Sequence, residues 1–107
     1  MSKLEITAAP LFAALGDETR LKLVSRLSDG QPLSIAQLTE GLGLTRQGVT
    51  KHLRVLERAG IVRSTRVGRE SRFSYEPKSV KKVQTYLDRV SEQWDDALNR
   101  LKSLVEP

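Results

Sequence analysis

Gln47, Lys51, Arg54 and Arg58, with Thr45, Arg46 and Thr50 beside them, place an amide, two hydroxyls and four permanent cations within fourteen residues. Gln and Arg pair bidentately with adenine and guanine edges, while Lys and Arg neutralise phosphates. A few residues on, Arg66, Arg69 and Arg72 add three more guanidinium groups. Together these side chains suit the reading of a polyanion that has recognisable edges. They do not suit bond making, and no GxxxxGK[ST], GxSxG or HExxH pattern occurs anywhere in the chain. Charge placement agrees. Between Leu44 and Arg72 eight Lys/Arg face two Glu, so this stretch carries +6 of a whole-chain +5 and leaves −1 on the other 78 residues.

Other chemistry finds little footing. His52 is the single histidine in a chain without cysteine, and a lone imidazole cannot assemble the usual transition-metal site. It is assigned a buried or phosphate-contacting place. Glu92, Asp95 and Asp96 cluster on one helix without a histidine partner and read as a solvated face. No cofactor and no metal ligand set is expected. The absence of cysteine also excludes a disulfide framework. There is no apolar leader and no run of about 20 apolar residues, so neither a membrane partner nor export is expected and the cytoplasm is the default compartment.

The elements that must hold the cationic set follow from periodicity and punctuation. A short helix from about Ala8 ends at Gly16, with residues 1–6 read as frayed. Asp17 N-caps a second helix with a buried stripe of Leu21, Leu23, Val24 and Leu27. Ser34 opens a third helix with Gln37 as capping-box partner, closed by Gly41 and Gly43. Thr45 caps a fourth, ended by Ala59-Gly60. At 100° per residue Val49, Leu53 and Leu56 share one face of that helix. Gln47, Lys51, Arg54 and Arg58 share the other, with Arg46 and Thr50 flanking. The third and fourth helices across a glycine turn make a helix-turn-helix, and a helix of this size fits the major groove.

Roles follow from position. Arg46, Gln47 and Thr50 lie near the helix start and suit base edges, whereas Lys51, Arg54 and Arg58 suit phosphates. Thr45 serves equally as cap or as phosphate contact, and Gly48 suits either close backbone approach or helix packing. Residues 62–76 then form a β-hairpin whose tip carries Arg66, Arg69 and Arg72, placed for a minor groove or its phosphates. An edge strand defended by charge is the other reading. Phe73 and Tyr75 share the face that packs on the core.

Pro77 ends the hairpin, and a last helix is expected from Ser79 to about Val105. Val80, Val83, Leu87, Val90, Trp94, Ala97, Leu101 and Leu104 recur at spacings of 3 and 4. That stripe runs about 40 Å at 1.5 Å per residue, longer than one small domain covers alone. Its second half is assigned to a subunit interface, with Leu87, Val90, Trp94, Leu98 and Leu101 as contacts. Trp94 has lining of a ligand pocket as its other reading. At 107 residues the chain is one domain, a core over 8–77 and a dimerisation helix over 79–105.

LFAALGDETRLKLVSRL, followed by LTEGLGLTRQGVTKHLRVLERAGIVRSTRVGRESRFSYE, resembles the ArsR/SmtB-type winged-helix regulators across residues 8–77. The resemblance implies a mainly α winged helix-turn-helix with a two-stranded wing, and a homodimeric bacterial repressor on an inverted repeat of double-stranded DNA. It also implies recognition through Thr45–Ala59, a wing at Val62–Glu76 and terminal helices paired across the dimer. Two features depart from the metal-sensing members. The segment Pro32–Ala36 has no cysteine, and residues 79–107 have no histidine. Thr39 stands where alanine is usual. The expectation is therefore a metal-free repressor, with a metal- or ligand-responsive repressor of non-cysteine site and a winged-helix protein-interaction module as alternatives. The residues name no inducer, operator or regulated gene.

Overall fold

Among the described residues five helices and three strands follow one another as α1 (Lys3–Leu15), α2 (Glu18–Arg26), β1 (Leu33–Ser34), α3 (Ile35–Thr39), α4 (Arg46–Arg58), β2 (Val62–Val67), β3 (Glu70–Tyr75) and α5 (Pro77–Val105). The computed structural model describes residues 3–105, apart from the side chain of Leu4. Leu23, Leu27, Leu38, Val49, Leu53, Leu56 and Phe73 are fully buried and bind α2, α3, α4 and the sheet into one core.

Local chemistry sets most boundaries. The Arg20 amide donates to the Asp17 carboxylate at 3.0 Å, capping α2. The Gln37 amide donates to Ser34 Oγ at 3.2 Å and the Ser34 amide to Gln37 Oε1 at 2.9 Å, the reciprocal pair of a capping box. Gly60, at φ +79°, turns the chain out of α4 in a left-handed conformation that a β-carbon would strain.

Three expectations are corrected. Helix α1 already runs at Lys3 instead of starting near Ala8, and it meets α5 through the Phe12 and Tyr86 rings, edge-on at 5.4 Å; residues 1 and 2 lie outside the described residues. Leu21 is 52% exposed, since Leu23 and Leu27, one turn apart, define the buried face and Leu21 lies about 200° round from Leu23. Pro77 begins α5, its fixed φ and missing N–H suiting a first turn. Helix α3 ends at Thr39 with Glu40 as its C-cap, and Gly41, at φ +76°, closes it as expected.

The sheet has a third strand beyond the expected hairpin. Its order is β1-β3-β2, all antiparallel, with Leu33 opposite Phe73 and Ser34 opposite Arg72. Ser34 therefore closes the sheet edge and caps α3 at once.

Candidate nucleic-acid interface

Helix α4 is held from behind and open in front. Val49, Leu53 and Leu56 are fully buried, while Arg46, Gln47, Lys51, Arg54 and Arg58 are exposed. The Gly48 amide donates to Thr45 Oγ1 at 3.0 Å, so Thr45 acts as the cap. A β-carbon on Gly48 would lie 3.2 Å from that same oxygen. Room for the cap thus accounts for this glycine, a reason that sequence inspection did not supply. Thr50 is half-buried, its hydroxyl proton committed to the Arg46 carbonyl at 2.7 Å. What it can still offer a ligand is a methyl group and an acceptor lone pair.

Arg54 is the most constrained of the cations. Its Nη1 lies 2.7 Å from Glu57 Oε1, and its guanidinium lies 5.7 Å from the Phe73 ring centroid. The Ser64 hydroxyl of β2 donates to Glu57 Oε2 at 2.5 Å, joining wing to helix. That bond first, then the Arg54 bond, holds the Glu57 carboxyl below the usual carboxylate range. The sequence does not reveal this partner of Glu57, since a contact seven residues away across a turn leaves no periodic trace.

His52 turns toward α2. Its Nδ1 lies 3.3 Å from Arg20 Nη1 and 3.8 Å from Asp17 Oδ2, and the side chain is 28% exposed. Of its two expected places, the structure favours the inward one.

The hairpin register sorts the wing arginines. Paired residues share a side of the sheet, and Phe73 opposite Ser64 marks the inner side. Arg66, opposite Ser71, lies on that side with its Nε donating to the Gly68 carbonyl at 3.4 Å. Arg72, opposite Thr65, lies on the outer side and is bridged to Glu70 at 2.8 Å. Arg69 occupies the turn after Gly68, whose φ is +64°. An open groove of about 300 Å³ runs between Arg46, Gln47 and Thr50 on α4 and Glu70 and Ser71 on the wing. It therefore brings three predicted residues beside the wing strand; Arg72 does not line the groove, although its partner Glu70 does.

The expected interface side chains lie apart from this groove. Leu87, Trp94, Leu98 and Leu101 are exposed on α5, Trp94 at 65%, and Val90 is half-buried. Val83, earlier on the helix, packs against the core.

A thiolate- or imidazole-built metal site does not fit these residues. Residues 32–36 offer no thiolate and α5 no imidazole, and no group of three His, Cys, Asp or Glu side chains converges among the described residues. No described helix is long and apolar enough to cross a membrane.

Residues 15–65 match the family model described as a helix-turn-helix domain. The HTH-type transcriptional regulator Rv2034 of Mycobacterium tuberculosis is 33% identical over 95 residues, which cover 89% of this chain and 85% of that one. The structure of an ArsR-like transcriptional regulator from Rhodococcus sp. RHA1 superimposes with a TM-score of 0.76 at 35% identity, covering 92% of each chain. The transcriptional repressor BigR from Xylella fastidiosa superimposes at 0.60, with 28% identity over 72% of this chain and 79% of that one. These relatives are regulators of transcription, not enzymes. With two helices packed against a capped helix-turn-helix, a β wing and a long terminal helix, the chain belongs to the ArsR/SmtB-type winged helix-turn-helix transcriptional regulators.

Proposed function

We propose that the protein is a homodimeric cytoplasmic repressor that occupies an inverted-repeat operator and needs no metal to do so. One observation carries the reading. The exposed cationic face of α4 borders an open groove whose other wall is the wing, so a duplex lying there meets Arg46, Gln47 and Thr50 with base edges and Lys51, Arg54 and Arg58 with phosphates. Arg66 and Arg69 reach the flanking backbone, and Arg72 extends the wing's positive field from its outer surface. The whole chain acts as one domain, residues 8–77 binding DNA and residues 79–105 joining two copies.

Pairing through Leu87, Val90, Trp94, Leu98 and Leu101 generates a two-fold axis. That axis sets the recognition helices about 34 Å apart, one helical turn, in successive major grooves. Repression is then steric, the dimer covering promoter DNA, as suits a relative described as a transcriptional repressor.

Footprinting and gel shift on the protein's own promoter test this. Protection of an inverted repeat is expected, with binding lost in Arg46→Ala combined with Arg54→Ala while dimerisation persists. With three or four phosphates neutralised per subunit, log affinity against log salt should fall with a slope of about −6. A slope near zero, or undiminished binding by the double variant, sinks the reading.

A further inference from the structure

Glu57 is the one acid on α4, set among Arg46, Lys51, Arg54 and Arg58. Both of its oxygens are engaged, one by Arg54 at 2.7 Å and the other by the Ser64 hydroxyl at 2.5 Å. Ser64 lies on β2 and so fixes the carboxylate from a second element. The Phe73 ring, 5.7 Å from the Arg54 guanidinium, offers its face as a support on that side. The result is an arginine folded along the protein surface with an anion already in its grasp.

A carboxylate and a phosphodiester ask the same of a guanidinium, two oxygens meeting a fork of N–H donors. We infer that Glu57 is a resident competitor for Arg54 that lowers the protein's hold on DNA of arbitrary sequence, and so widens the gap between operator and random duplex. This rests on the DNA-binding reading above. To reach a phosphate, Arg54 must leave Glu57 and the Phe73 ring, and Glu57 then faces the duplex as an unpaired negative charge. Loose, register-free contact meets this cost at every position along a genome. At a matching site the edge contacts of Arg46 and Gln47 draw the helix in and outweigh it.

Fluorescence anisotropy with a labelled mixed-sequence duplex of about 30 bp, three helical turns, tests the idea across a salt titration. The proteins are wild type, Glu57→Gln, Arg54→Ala, the double variant and Ser64→Ala. Glu57→Gln should steepen the salt slope by about 1.8, the increment of two added phosphate contacts, one in each subunit of the proposed dimer. By the same relation it should tighten binding by the dimer about sixtyfold at 0.1 M salt. Ser64→Ala should move both in the same direction by less. In the Arg54→Ala background Glu57→Gln should leave the slope unchanged, because the competitor then has nothing to hold.

An equal steepening in that background means plain charge repulsion and overturns the inference. So does an unchanged slope in a Glu57→Gln protein whose thermal melt matches wild type, or, if that variant does not fold, an unchanged slope in Ser64→Ala. Wild type that ignores the duplex altogether sinks the DNA-binding reading itself, which the wild-type titration alone reveals.

Discussion

Asp17 does two jobs with one carboxylate. It accepts the Arg20 amide as the cap of α2 and lies 3.8 Å from His52 on the recognition helix. The Arg20 amide bond is the main reason its carboxyl stays below the usual range, with the charges of Arg20 and His52 acting in the same direction. A folded-state pKa below the unfolded value of about 3.9 gives stability that is present above about pH 4 and fades as pH falls through the folded value. Asp17→Asn should therefore lower the urea midpoint at pH 7 and leave a shrinking difference from wild type as pH drops below 4. A gap that stays constant through acid would show that the charge contributes nothing. The outward face of α4 was legible at this scale, since exposure of Gln47, Lys51, Arg54 and Arg58 depends only on helical phase against Val49, Leu53 and Leu56. The Glu57–Ser64 bond was not, because it depends on how a turn folds back.

Caps and breaks made the element boundaries readable: Asp17, Ser34 and Thr45 each cap the helix they were expected to open. A two-residue strand has no such signal. Leu33 and Ser34 become β1 only by pairing with Phe73 and Arg72, nearly forty residues away. Leu21 shows the same limit, since one apolar residue in a short helix does not say which face is inward. Ser34 is 5% exposed and joins sheet to helix. Ser34→Ala should cost about 1–2 kcal/mol, the loss of the cap bond that leaves the Gln37 amide without its acceptor in a half-buried setting. Chemical denaturation measures this. A loss of a few tenths or less would mean that Ser34 is incidental to both elements.

The described chain measures 67 × 28 × 22 Å with a radius of gyration of 18.0 Å, against about 13 Å for a globule of this length. The excess is α5, 29 residues with no buried side chain, its far half carrying Trp94, Leu98, Leu101 and Leu104 into solvent. The heptad spacing announced this, because an apolar stripe longer than the core it could cover is visible in sequence alone. If a second copy covers it, Trp94→Asp or Leu101→Asp should sediment as monomers and bind operator far more weakly; intact dimers would place the interface elsewhere. The small strand at Leu33–Ser34 has a consequence at this scale as well. Because the same residue anchors wing and α3, the spacing between wing and recognition helix is set before any duplex arrives, and accommodation falls to the nucleic acid. If the protein occupies an operator as proposed, steps that kink or compress readily should be favoured even where no side chain touches a base, and part of that site's identity would be written in stiffness instead of letters.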